Sequence, residues 1–129
     1  MRYVYRRIVL SCGVVEHPLD GLVDTSEIAM DARVRITVLR RLRFEDLLEQ
    51  YATSVWDPCE RLSEGQEFIC EHGNMPEGFC SWAWADIQKY VLTLARGGNF
   101  LGVMPGTHVC CCTDGFRPVV FRLERIEDA

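Results

Sequence analysis

Between Ser81 and Arg96 the apolar residues Ala83, Ile87, Tyr90, Val91 and Leu94 recur at helical spacing on one face, with Asp86, Gln88 and Lys89 elsewhere. Strand patterns with a single apolar face lie on both sides of this helix. Val34, Ile36 and Val38 alternate with Arg33, Arg35 and Thr37, while Val119, Phe121 and Leu123 oppose Arg122 and Glu124. A helix with one apolar stripe and strands with one apolar face must bury those surfaces against each other. The expected fold is therefore α+β: a small, mostly antiparallel sheet of about four core strands packed on one main helix. Gly65–Cys70 and His108–Cys112 supply the other two strands, and Asp114-Gly115 supplies a turn before the last strand, Pro118–Ile126. Phe44–Tyr51 reads as a short second helix. Ser81 is the expected N-cap of the main helix, and Gly97 its C-terminal stop.

The chain has 129 residues, enough for a core that needs no disulfide staples. Hydrophobic residues make up 48% and charged residues 26%, the balance of a globular protein. A formal net charge of -5 argues against nucleic-acid partners. Arginines do gather at Arg2, Arg6 and Arg7 and at Arg33, Arg35, Arg40, Arg41 and Arg43, where a solvated face is expected over a phosphate track. No apolar run approaches the roughly 18 residues of a membrane span. The few apolar residues before Cys12 fall short of the roughly 7 to 15 of a signal sequence, so a cytoplasmic location is expected. Tyr3–Val15 has strand character, but from His17-Pro18-Leu19-Asp20-Gly21 to Ala29 no period is sustained. Residues 1–29 therefore read as an N-terminal extension, or an over-long start with Met30 as initiator, and residues 30–129 as the core domain.

Seven cysteines, an odd number that includes the run Cys110-Cys111-Cys112, fit no simple disulfide framework. In a reducing compartment they are thiols, metal ligands or transient redox partners. Cys12 and Cys70 sit in apolar strand-like runs and are assigned to packing. Cys80 opens the main helix, where unpaired backbone N–H groups favour an anionic sulfur, and it is the candidate nucleophile. The competing reading is a cysteine filling space beside Phe79 and Trp82. Strand alternation places Cys110 and Cys112 on one face with His108, a soft donor set suited to zinc, copper or iron. There is no C-x-x-C spacing, and an inert, packed trio is the alternative. Cys59, in the loop after Pro58, reaches Cys80 and Cys112 only through tertiary contact. Were the three to converge, His108, His72, Asp114 or an exogenous ligand would complete a metal site, or the thiols would form a redox pair. Arg117 is a candidate for holding an anionic ligand. Of Trp82 and Trp84, one belongs to the core and the other to a pocket or an oligomer contact.

Four segments in fixed order carry a family resemblance: Cys59-Glu60-Arg61-Leu62-Ser63-Glu64-Gly65-Gln66-Glu67-Phe68, Met75-Pro76-Glu77-Gly78-Phe79-Cys80-Ser81-Trp82-Ala83, Arg96-Gly97-Gly98, and Cys111-Cys112-Thr113-Asp114-Gly115-Phe116-Arg117-Pro118-Val119. Over about residues 30–127 the chain resembles a family of short, cysteine-bearing prokaryotic proteins found largely in anaerobes. The resemblance implies that Cys59, Cys80 and Cys112, with Cys111 beside them, belong to the family pattern. It implies no enzyme class, substrate or catalytic assignment.

No serine-hydrolase elbow, HExxH or dinucleotide-binding glycine fingerprint occurs. The expected function is a clustered-cysteine site formed by Cys59, Cys80, Cys112 and His108. It would bind a transition metal, zinc or iron, or handle thiol redox and sulfur chemistry on a small molecule. The competing class is a non-catalytic ligand-binding or homo-oligomeric assembly module whose cysteines are structural.

Overall fold

The computed structural model describes residues 5–10, 13–18 and 31–126, and divides the chain into two compact units, Met1–Met30 and Asp31–Ala129. In the first unit, β1 (Tyr5–Leu10) and β2 (Gly13–Pro18) pair antiparallel, with Leu10 opposite Gly13 and Tyr5 opposite Pro18. The single strand expected over Tyr3–Val15 is thus two strands, and His17-Pro18, expected in a turn, ends the second. The break falls just before Gly13, a residue that weakens a strand interior. Cys12 and residues 19–30 lie outside the described residues.

The second unit is a four-stranded antiparallel sheet in the order β4-β3-β6-β5. Its strands are β3 (Arg33–Arg41), β4 (Glu67–Cys70), β5 (Thr107–Cys111) and β6 (Val119–Ile126). The expected α+β class holds, with α1 (Glu45–Tyr51) and α2 (Ser81–Ala95) as its helices. The core forms where the one-faced patterns predict. Val34, Ile36 and Val38 of β3 and Val119, Phe121 and Leu123 of β6 are buried together with Ala83, Ile87, Val91 and Leu94 of α2. Each large aliphatic or aromatic side chain in this layer contributes on the order of 1.5–3 kcal/mol by leaving water. Tyr90 is only half-buried, packing edge-on against Phe100.

The ladder between β3 and β6 is irregular at one point. Its register slips between Val38 and Arg40, so that Leu39 is an extra residue. After this bulge Arg41 lies opposite the buried Val119, whereas strict alternation would have placed it among the outward-facing residues. Arg41 and Arg43, expected on a solvated face, are instead partly buried and bonded to the loop that follows α1. Arg35 does belong to an outer polar face, near Glu67 and Glu124 at 3.9 Å from each.

Phe121 is fully buried and also meets the ring of Phe79 at 5.5 Å. Its truncation to alanine should therefore lower unfolding free energy by about 3–5 kcal/mol. Urea denaturation followed by tryptophan fluorescence measures this directly.

A cysteine-lined cavity at the start of α2

Gly78 adopts a positive φ of 77° and turns the chain toward α2. Phe79, the next residue, is buried and packs edge-on to Phe68 at 5.0 Å and Trp84 at 6.4 Å. This aromatic anchor leaves Cys80 half-buried at the N-cap, with its carbonyl accepting the Trp84 N–H at 2.9 Å. Ser81 is therefore the first helical residue and not the cap. Among the described residues no side chain caps the helix, so its first-turn N–H groups keep their unpaired polarity.

Cys112 comes from the sheet, on the same helix-covered face. It lies just past β5, is 7% exposed, and its Sγ accepts the Val119 N–H at 3.3 Å. The connection to β6 is wider than a tight Asp-Gly turn. Asp114 organises it from within, its Oδ1 accepting the N–H groups of Phe116 and Arg117 at 3.0 and 3.1 Å. Asp114 Oδ2 also lies 3.5 Å from Arg117 Nε. The same loop is fastened to α2, because Thr113 donates its N–H at 2.9 Å and its hydroxyl at 3.1 Å to the Asp86 carboxylate.

Cys59 comes from the loop 52–66, which has no strand or helix of its own. Three arginines hold that loop by its carbonyls: Arg43 donates to Trp56, Arg117 to Asp57 and Arg41 to Cys59, at 2.6, 3.1 and 2.9 Å. Arg117 also lies over the Trp56 ring at 5.3 Å. Leu62, 2% exposed, plugs the loop into the core.

These three segments meet around one cavity of about 430 Å³. Cys59, Cys80 and Cys112 all line it, together with Arg61, Asp114, Arg117 and the exposed Trp82. Trp84 is the core member of the tryptophan pair. The remaining candidates lie elsewhere. His108 shares the inward face with Cys110 but sits farther along β5, stacked on Phe100 at 4.1 Å and against Tyr90 at 4.6 Å. It does not line the cavity and drops out of the expected donor set. His72, in the left-handed region at φ 53°, belongs to a separate surface depression with Glu71 and Glu77. Cys111 is exposed. Among the described residues no group of three or more His, Cys, Asp or Glu side chains is gathered closely enough to hold a metal ion. Arg41, Arg43 and Asp86 carry no sequence signal for their roles, since only through-space partners reveal them.

Two cysteines show what packing alone looks like in this fold. Burial pushes the Cys70 thiol up to about 12. Burial and the adjacent Cys111 do the same for Cys110, against an opposing pull from Lys89. The folded state therefore holds the Cys70 proton more tightly than the unfolded chain does. Between about pH 9 and 12 the unfolded state loses that proton first, and stability should fall by up to about 1.4 kcal/mol per pH unit for such a thiol. Urea midpoints measured across that range should fall less steeply in Cys70→Ala than in the unmodified protein.

No protein-family model matches the chain, and neither does any curated protein or solved structure. The functional reading accordingly rests on the cavity and the residues that build it.

Proposed function

We propose that the cavity is a thiol site that carries out redox or sulfur-handling chemistry on a small molecule, with Cys80 as the reacting thiol. The observation that carries this reading is the convergence of Cys59, Cys80 and Cys112, from three separate segments, on one cavity. A cysteine recruited only for packing resembles Cys70, 1% exposed and enclosed by core. Cys59 and Cys80 are half-buried, as Cys110 is, but unlike it they line an open cavity. Cys80 also stands at the start of α2, where no side chain caps the helix. Trp82 and Arg61 supply an aromatic and a cationic surface for the ligand's body.

Among the described residues no helix is long and apolar enough to cross a membrane. Thiol chemistry of this kind suits a cytoplasmic setting, where such groups stay reduced.

A second reading, a zinc or iron site on the same three thiols, has Asp114 in the cavity as an oxygen donor in its favour. It requires the thiols to be drawn together on binding. The competing class, a ligand-binding or assembly module with structural cysteines, predicts inert thiols throughout.

Timed iodoacetamide labelling at neutral pH, with peptide mapping, separates these readings. Cys80 should be modified several times faster than the more exposed Cys111, and Cys70 and Cys110 only after unfolding. Labelling of Cys80 at or below the rate of Cys111 would reject it as the reacting thiol. Elemental analysis of anaerobically purified protein tests the metal reading: stoichiometric zinc or iron, lost in the Cys59→Ser, Cys80→Ser and Cys112→Ser variants, would replace the thiol reading with it.

A further inference from the structure

The three thiols of the cavity are anchored differently. Cys80 begins α2, and Cys112 adjoins Thr113, whose N–H and hydroxyl both bond to Asp86 of that same helix. One rigid element therefore sets the position of both sulfur-bearing segments. Cys59 is tied instead to the end of β3, through the bond from Arg41 to its carbonyl. Their exposure differs as well. Cys80 is half-buried, whereas Cys112 is buried, with its sulfur already accepting the Val119 N–H. A molecule entering the cavity can meet Cys80 while Cys112 stays shielded from bulky reagents.

Resting on the proposed thiol chemistry, we infer that Cys80 and Cys112 form a dithiol couple that reduces low-molecular-weight disulfides, with Asp86 as its positioning residue. Cys80, deprotonated, attacks one sulfur of the substrate RS–SR, forming the mixed disulfide Cys80–S–S–R and expelling RS⁻. That thiolate takes up the proton Cys80 gave up. Cys112 then attacks the Cys80 sulfur, breaking the mixed disulfide, releasing the second RS⁻ and closing a Cys80–Cys112 disulfide. The proton of Cys112 passes to the departing thiolate. Two protein thiols are thereby oxidised by two electrons, and one substrate disulfide is reduced to two thiols. The Val119 N–H steadies negative charge on Cys112 as it attacks.

Incubation of the reduced full chain with oxidised glutathione, followed by intact mass and peptide mapping, tests the couple. The unmodified protein should lose two hydrogens and yield a Cys80–Cys112 cross-link. Cys112→Ser should accumulate a glutathione adduct on Cys80. Cys112→Ala serves if the serine variant does not fold, since it keeps the site apolar. Asp86→Ala, with an unchanged circular dichroism spectrum, should lengthen the life of the mixed disulfide several-fold, and Asp86→Asn should partly restore the normal rate. A cross-link that includes Cys59, or an adduct as persistent in the unmodified protein as in Cys112→Ser, would overturn the couple while leaving Cys80 as a reacting thiol. A Cys80 inert to both iodoacetamide and glutathione would remove the thiol reading itself.

Discussion

Three guanidinium-to-carbonyl hydrogen bonds hold the loop that carries Cys59. The loop 52–66 has neither a ladder nor a helix to pair its backbone groups. Backbone bonds between Val38 and Gly65-Gln66 fasten its end, and Arg41, Arg43 and Arg117 hold its middle, each donating to a different carbonyl between Trp56 and Cys59. Hydrogen bonds from a charged donor are worth about 1.5–3 kcal/mol each when partly shielded from water. Together they offset part of the entropy lost in fixing a loop of this length. Two of the three arginines lie at or just beyond the end of β3, and the third belongs to the β5–β6 loop. The Cys59 segment is thus tied both to the end of β3 and to the β5–β6 loop.

The bulge at Leu39 makes this possible. With unbroken alternation, Arg41 would share the outer face with Arg35, where Glu67 and Glu124 offer carboxylates and water screens the contact. The extra residue turns it to lie opposite Val119, on the helix-covered side, within reach of the Cys59 carbonyl. A small change of strand register thereby becomes a change in what surrounds a thiol. The carboxylate of Asp86 has a comparable role for the segment that carries Cys112. One side chain accepts two donors from Thr113 and fixes a loop that is otherwise organised internally by Asp114.

Periodic patterns made most of the fold legible. Val34, Ile36 and Val38 announce both β3 and its buried face, and Ala83, Ile87, Val91 and Leu94 do the same for α2. The candidate site was legible only in part. Cys80 could be placed at a helix start because helix ends leave local signatures, and Cys112 at a strand end for the same reason. Nothing periodic marks the bulge, so Arg41 read as an outward residue. His108 obeyed the alternation that put it beside Cys110, yet alternation says only which face a residue takes. Its position along β5, next to Phe100 and Tyr90, removes it from the cavity. The split of the first strand into β1 and β2 was hidden because apolar residues flank the break on both sides.

The cysteines illustrate why residue type alone is a weak guide to chemistry. All seven are the same group in the sequence, but the fold sorts those it describes by what adjoins the sulfur. Cys70 is enclosed by side chains and Cys110 is desolvated beside another thiol; burial pushes both to about 12, so that near neutral pH they remain protonated. Cys111 is open to water on an edge strand. Cys59, Cys80 and Cys112 alone adjoin the space at the start of α2. Thiol exchange needs an accessible sulfur to attack first and a second sulfur shielded from outside reagents yet open to the first. The half-buried Cys80 and the buried Cys112 meet the accessibility half of that requirement in one cavity, and the Asp86–Thr113 bonds tie their two segments together.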